Sequence, residues 1–215
     1  MNIKLLISFL LINSTLIAQK ITIKHVESRL ITHEGVEFIG DLNDKGSDVY
    51  LYETWDNKAI IFVDNNKYQL SNINFNITSN SFESRLGRNK IFSFKNIYID
   101  SVKINNHFFK KSKNYFYEVL FENKNNQLLK KHEIEYQEGI LNRLDGKVGK
   151  SRRYIVYKYI INLNNSFSKI ELNKKSILNL FKANQFELEK FVKRKKLSYK
   201  KEKDIVKIMN FILRK

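Results

Sequence analysis

The residues able to carry chemistry in this 215-residue chain are few and scattered. Its four histidines are His25, His33, His107 and His132. A nucleophile–base couple needs an imidazole beside a serine or threonine, with a carboxylate to orient it. None of the four lies in a recognisable nucleophile motif. The spacing of His25 and His33 is not that of helical metal ligands, and a chain without cysteine offers zinc no thiolate. In "DLNDKGSD" (41–48), Asp41, Asn43 and Gly46 match the first, third and sixth positions of an EF-hand calcium loop. Lys45, however, takes the fifth, ligand position, and Tyr52 stands where a bidentate glutamate belongs. An ammonium there repels the ion, so the stretch reads as a polar turn leading into a strand at 48–54. Glycoside hydrolysis needs two carboxylates facing each other across a cleft. Glu133 with Glu135, and Glu187 with Glu189, are neighbours of the kind that ordinary solvated charge produces. The seven glycines form no phosphate-cradling loop. The sequence therefore predicts no catalytic residue, no metal site and no cofactor.

One cationic run stands out. "KRKKLSYKK" (193–201) supplies Lys193, Arg194, Lys195, Lys196, Lys200 and Lys201 as candidate anion contacts. Over phosphates or other anionic groups, such charges displace counterions and give salt-sensitive binding. Tyr199 is the only aromatic within the run, so stacking of single-stranded bases is not the expected mode and nucleic acid is not the expected partner. The charge is lopsided: residues 19–100 carry a net −1 and residues 101–215 a net +17. A basic half attracts polyanions. A chain rich in Asn and Ile and devoid of Pro also gathers lysine on solvated faces without any partner, and that is the commoner origin of such an excess.

These residues must be positioned by elements whose period is mostly two. Ile73, Phe75 and Ile77 alternate with Asn74 and Asn76. "YFYEVLFE" (115–122) sets Tyr115, Tyr117, Val119 and Phe121 on one side, which predicts that side as the buried one. "RYIVYKYII" (153–161) is nearly apolar on both faces, as in a central strand. Asparagine tolerates positive φ, so the breaks at 56–57, 65–66, 105–106 and 164–165 suit tight turns between antiparallel neighbours. On this reading 49–52 and 60–63 form a hairpin, with Trp55 shielding its end. Residues 137–151 form one longer loop. From 174 the period becomes helical: Ile177, Leu178, Leu180 and Phe181; Leu188, Phe191 and Val192; Ile205, Ile208, Met209 and Ile212. Each stretch is near or below the ~12–15 residues at which a lone helix is marginal, so all three need packing partners.

The first residues read as an export signal: Lys4, an apolar run at 5–12, and Ala18 before Gln19 as the cleavage point, with Leu16 departing from the small residue usual three positions before a cut. The apolar run is about half the ~20 residues that span a bilayer, so no transmembrane span is expected in the mature chain. The predicted organisation is a signal peptide at 1–18, an antiparallel β domain at 19–173 and a C-terminal helical appendage at 174–215. The class is α+β: a predominantly antiparallel β-meander, as an open sheet, sandwich or partial barrel, followed by a small helical appendage.

The run "GSDVYLYETWDNKAIIFVDNNKYQLSNINFNI", with Thr54, Trp55, Asn57, Lys58 and Ala59 at its centre, resembles a family of uncharacterised secreted β-rich proteins of Bacteroidetes-type bacteria. "FYEVLFE" and the basic tail resemble it too, while the segment after "YQEG" lacks the Asn-Pro pattern of that group. The resemblance implies export and a β-rich body and supplies no activity. The expected function is that of a non-enzymatic, periplasmic or secreted envelope protein that binds an anionic polymer or another envelope protein through its basic C-terminal region. A secreted hydrolase whose site is not recognisable from sequence is the alternative. An inhibitor-type protein binding through a sheet edge is a third possibility.

Overall fold

Residues at positive φ mark where the chain reverses, and the computed structural model describes residues 27–31, 37–44, 49–64, 66–86, 90–139 and 148–213. The predicted export signal, His25, His33 and the end of the calcium-like stretch lie outside these. Asn164 and Asn165 both have positive φ, as a type I′ turn demands, and Asn105 does so at the next predicted break. Lys113 and Lys124 occupy the same left-handed region at two turns that the asparagine signal did not mark.

The strands in chain order are β1 (Glu27–Ile31), β2 (Glu37–Asp44), β3 (Lys58–Val63), β4 (Asn66–Ser71), β5 (Ile73–Asn76), β6 (Ser81–Arg85), β7 (Lys90–Phe94), β8 (Ser101–Ile104), β9 (His107–Ser112), β10 (Tyr115–Asn123), β11 (Asn126–Gln137), β12 (Arg152–Leu163) and β13 (Ser166–Ile170). Helices α1 (Lys174–Leu180), α2 (Gln185–Arg194) and α3 (Glu202–Leu213) follow. The fold class is the predicted one: antiparallel sheets, then helices, with no closed barrel. Five strands form one sheet in the order β1-β2-β7-β6-β5, and eight form the other in the order β13-β12-β11-β10-β9-β8-β3-β4. From β8 to β13 the chain is a simple meander. Before that it passes back and forth between the sheets.

The five-stranded sheet covers the β3–β8–β9 half of the larger sheet. Phe75 and Phe82 from one side meet Phe109 and Phe116 from the other, with ring centroids 5.0–5.5 Å apart. All four are 1 % exposed or less, and each contributes about 1.5–3 kcal/mol through burial. The three helices cover the other half. Their predicted apolar faces, Ile177, Leu178, Leu188, Val192, Ile205, Ile208, Met209 and Ile212, pack on Phe121, Leu128, Ile161 and Ile170. Phe191 and Phe211 stack in parallel at 3.9 Å and join α2 to α3. Asn173 caps α1 by accepting the Ser176 N–H at 2.8 Å.

Four local expectations change. Asp41 and Asn43 belong to β2, paired with Ser93 and Ile91, so the calcium-like stretch starts as a strand. The segment 49–53 is not a strand beside β3. It bonds to β5 instead, through Leu51 N–H to Phe75 O and Tyr52 N–H to Asn74 Oδ1. Trp55 therefore ends no hairpin; it sits edge-on to Tyr50 at 4.7 Å with the Arg85 guanidinium 4.9 Å above its ring. Asn57 is buried, donating to Thr54 O and Ile73 O and accepting from Asn105. The buried face of β10 is the opposite of the predicted one: Phe116 and Glu118 point inward and Tyr115 outward, and a bulge between Val119 and Phe121 returns Phe121 to the core. Finally, β12 is central only where β13 pairs with it, from Tyr159 to Leu163. Among the described residues, Arg152–Lys158 has a neighbour on the β11 side alone.

Candidate functional site: a lysine-lined cleft backed by a buried histidine–glutamate seam

One register row passes through every strand of the larger sheet: Tyr68, Ile61, Val102, Phe109, Glu118, Lys130, Tyr159 and Ile170. Directly opposed residues share a face. The row begins under the smaller sheet and ends under the helices, and its two charged members fall where one cover gives way to the other. Glu118, Lys130 and His132 are each more than nine-tenths buried.

Both Glu118 oxygens are occupied. Oε1 lies 2.6 Å from His107 Nδ1, and Oε2 lies 2.7 Å from His132 Nε2 and 3.5 Å from Lys130 Nζ. A carboxylate only accepts, so these ring nitrogens carry the protons. Lys130 Nζ continues to Glu202 Oε1 of α3 at 3.0 Å, and the same oxygen accepts the Tyr159 hydroxyl at 2.7 Å. The ammonium also lies 4.1 Å from the centre of the Tyr157 ring, which His132 meets edge-on. Burial alone raises the Glu118 pKa, but the hydrogen bonds from His132 and His107 and the charge of Lys130 outweigh it and hold the carboxyl at about 2. The Tyr159 hydroxyl is pushed up, first by burial and then by its bond to Glu202.

A carboxylate of such low basicity is a structural anion at neutral pH, not a general base. Among the described residues no serine or threonine hydroxyl bonds to either imidazole. The converging histidines thus clamp a carboxylate, and Lys130 and Tyr159 tie α3 to the sheet through Glu202. Period-two reading missed the cluster because it placed Glu118 on the outer face. A signal was present in β11, where Lys130 and His132 fall between Leu128 and Ile134 on one strand face.

Tyr157 and Tyr159 are the link from the seam to the surface. They form one wall of an open cleft of about 950 Å³ where β13 ends and the chain turns into α1. Lys158, Lys169, Lys175 and Lys200 line it, together with Asn173, Ser176 and Asn179, and Glu171 is its one acidic lining residue. Lys158 also pairs with Glu133 on the outer face of the sheet.

The predicted basic run divides between two places. Lys193 and Arg194 form the last turn of α2, Lys195 caps it and Lys196 follows at φ 52°. Lys196 N–H reaches Lys193 O and Leu197 N–H reaches Val192 O, the two bonds of a Schellman closure. Cations here also complement the negative end of the helix dipole. Lys201 opens α3 with its carbonyl, which accepts from Asp204 and Ile205. Of the six predicted contacts, Lys200 alone is a lining residue of the cleft. Lys158, Lys169 and Lys175 were not singled out from the sequence, because they come from three separate elements.

Among the described residues, no group of His, Asp and Glu is placed to hold a metal ion, and no helix is long and apolar enough to cross a membrane. The chain matches no protein-family model, no curated protein and no solved structure.

Proposed function

We propose that this is a non-enzymatic, exported envelope protein that binds an anionic polymer in the cleft between the end of β13, α1 and the Lys200 turn. The observation that carries the reading is the convergence of Lys158, Lys169, Lys175 and Lys200 around one open cleft with a single opposing carboxylate, Glu171. Tyr157, Tyr159 and the asparagines offer ring faces and amides beside the charges, which suits an anionic glycan with alternating apolar and anionic surface. Export rests on the leader-like pattern of Lys4, the apolar run and Ala18.

The test is retention on heparin or a polyphosphate resin, with the salt dependence of binding measured in solution. Replacing Lys169, Lys175 and Lys200 by Gln should lower the slope of log K against log salt by about 2–3. Replacing Lys193, Arg194, Lys195 and Lys196 by Gln should lower it less, because those side chains belong to a helix end. Equal slopes for the wild type and the cleft variant would refute the assignment. A secreted hydrolase is the second reading, favoured by the convergence of His107, Glu118 and His132. Turnover of ester or glycoside test substrates, abolished by His132→Ala and retained in the lysine variants, would reverse the order.

A further inference from the structure

Among the described residues, the outer edge of Arg152–Lys158 has no strand beside it. In "RRYIVYK" the central Tyr154–Tyr157 is apolar or aromatic on both faces, with Arg152, Arg153 and Lys158 at its ends. β13 pairs only with Tyr159–Leu163 and then turns away into α1, so Ile170 opposite Tyr159 is the last rung on that side. Seven residues of backbone edge remain, about 23 Å long at strand rise. Tyr154 and Tyr157 are both over 40 % exposed. Natural sheets guard such edges against association, because the unpaired N–H and C=O groups form a template for a further strand. Here the covering element is absent among the described residues.

We propose that Arg152–Lys158 is a docking edge for an extended acidic segment of a partner protein, which adds to the sheet as an antiparallel strand in line with β13. Charge selects the occupant. Arg152, Arg153 and Lys158 are the charged residues of this edge. Lys158 pairs with Glu133 of β11 and Arg153 reaches the Tyr50 carbonyl. The edge runs into the cleft lined by Lys169, Lys175 and Lys200, which keeps its surroundings cationic. Opposite charges on directly facing strand residues stabilise pairing and like charges oppose it. A second copy of the chain fits poorly for the same reason: symmetric antiparallel pairing about Ile155 sets Arg152 against Lys158. Backbone bonds supply affinity in this recognition mode, and alternate side chains supply selectivity. The edge shares Tyr157 and Lys158 with the cleft, but strand addition rests on the unpaired backbone and stands whether or not a polymer binds there.

The test uses the full mature chain and a fluorescent seven-residue peptide alternating glutamate and valine, followed by anisotropy. Two further probes carry N-methyl groups on the odd or on the even residues. An added strand turns only alternate N–H groups toward its neighbour, so one methylated probe should bind like the parent and the other about tenfold or more weaker, and a lysine–valine peptide should not bind. The Arg152→Glu, Lys158→Glu double variant, checked by circular dichroism, locates the edge and should weaken the parent peptide about tenfold. Equal binding of the two methylated probes would mean attraction by charge alone. Equal binding to the double variant would place the site elsewhere, and no saturable binding of the parent would remove it. Each of these outcomes overturns the proposal, and the methylation contrast on wild-type protein decides it even if the double variant fails to fold.

Discussion

Replacing Glu118 by Gln isolates the seam, because it keeps the side-chain volume and removes the charge that buried His132 and Lys130 share with His107. The folded carboxyl is held at about 2 against an ordinary 4.5, and every tenfold change in proton affinity corresponds to ~1.36 kcal/mol. The contacts are therefore worth roughly 3 kcal/mol before discounting, and about 2–3 kcal/mol once screening through half-exposed His107 is allowed for. A depressed folded pKa gives stability that is fully present above the unfolded value and is lost as pH falls from about 4.5 toward 2. Urea unfolding should therefore show Glu118→Gln about 2–3 kcal/mol less stable than wild type at pH 7. For a chain of this size that is a midpoint shift of roughly 1 M. On lowering the pH from 5 to 2.5 the two curves should converge. Glu122, Glu133 and Asp204, whose pKa values are also lowered, are present in both proteins, so the difference belongs to residue 118. Parallel curves over that interval would refute the view that a charged Glu118 holds the junction. The histidine and lysine contacts would then be geometry without energy.

Substitutions at two further positions probe how the chain uses left-handed backbone. Asn80 has φ 51°, and its buried amide accepts the Phe116 N–H at 2.7 Å and donates to the Phe116 carbonyl at 3.2 Å, joining the two sheets as a short strand would. Asn80→Ala should cost about 3 kcal/mol in urea unfolding, from two unsatisfied buried backbone groups and a strained φ. Asn80→Gly should cost about 1 kcal/mol less, because only the strain is relieved, and identical losses would argue against the backbone account. Lys196→Gly, at the Schellman position closing α2, should raise the unfolding midpoint by about 2 °C and leave heparin retention nearly unchanged. A drop in retention as large as that of the cleft variant would return Lys196 to the binding surface.

The asparagines show how far local signals carry. At 105 and 164–165 they mark turns, as expected from their tolerance of positive φ. At 57, 74 and 80 the same residue type is buried and bonds to the backbone of other segments. Turn chemistry is a property of one residue and its neighbours, so sequence reports it. A buried amide is chosen by which unpaired backbone group lies opposite, and that group comes from 16 to 36 residues away.

Alternating apolar residues, asparagine breaks and the change to a helical period after residue 173 were enough to determine antiparallel sheets, the three helices and the apolar faces those helices bury. Each of those properties repeats within a few residues, where backbone geometry alone relates the side chains. Tertiary structure decided the rest: the two-sheet arrangement, the inward turn of Glu118, the bulge that restores Phe121 and the four lysines of the cleft. A carboxylate can lie on a buried face only when donors from other strands surround it. His107 and His132 do so here from β9 and β11, and no stretch of sequence around Glu118 records their arrival.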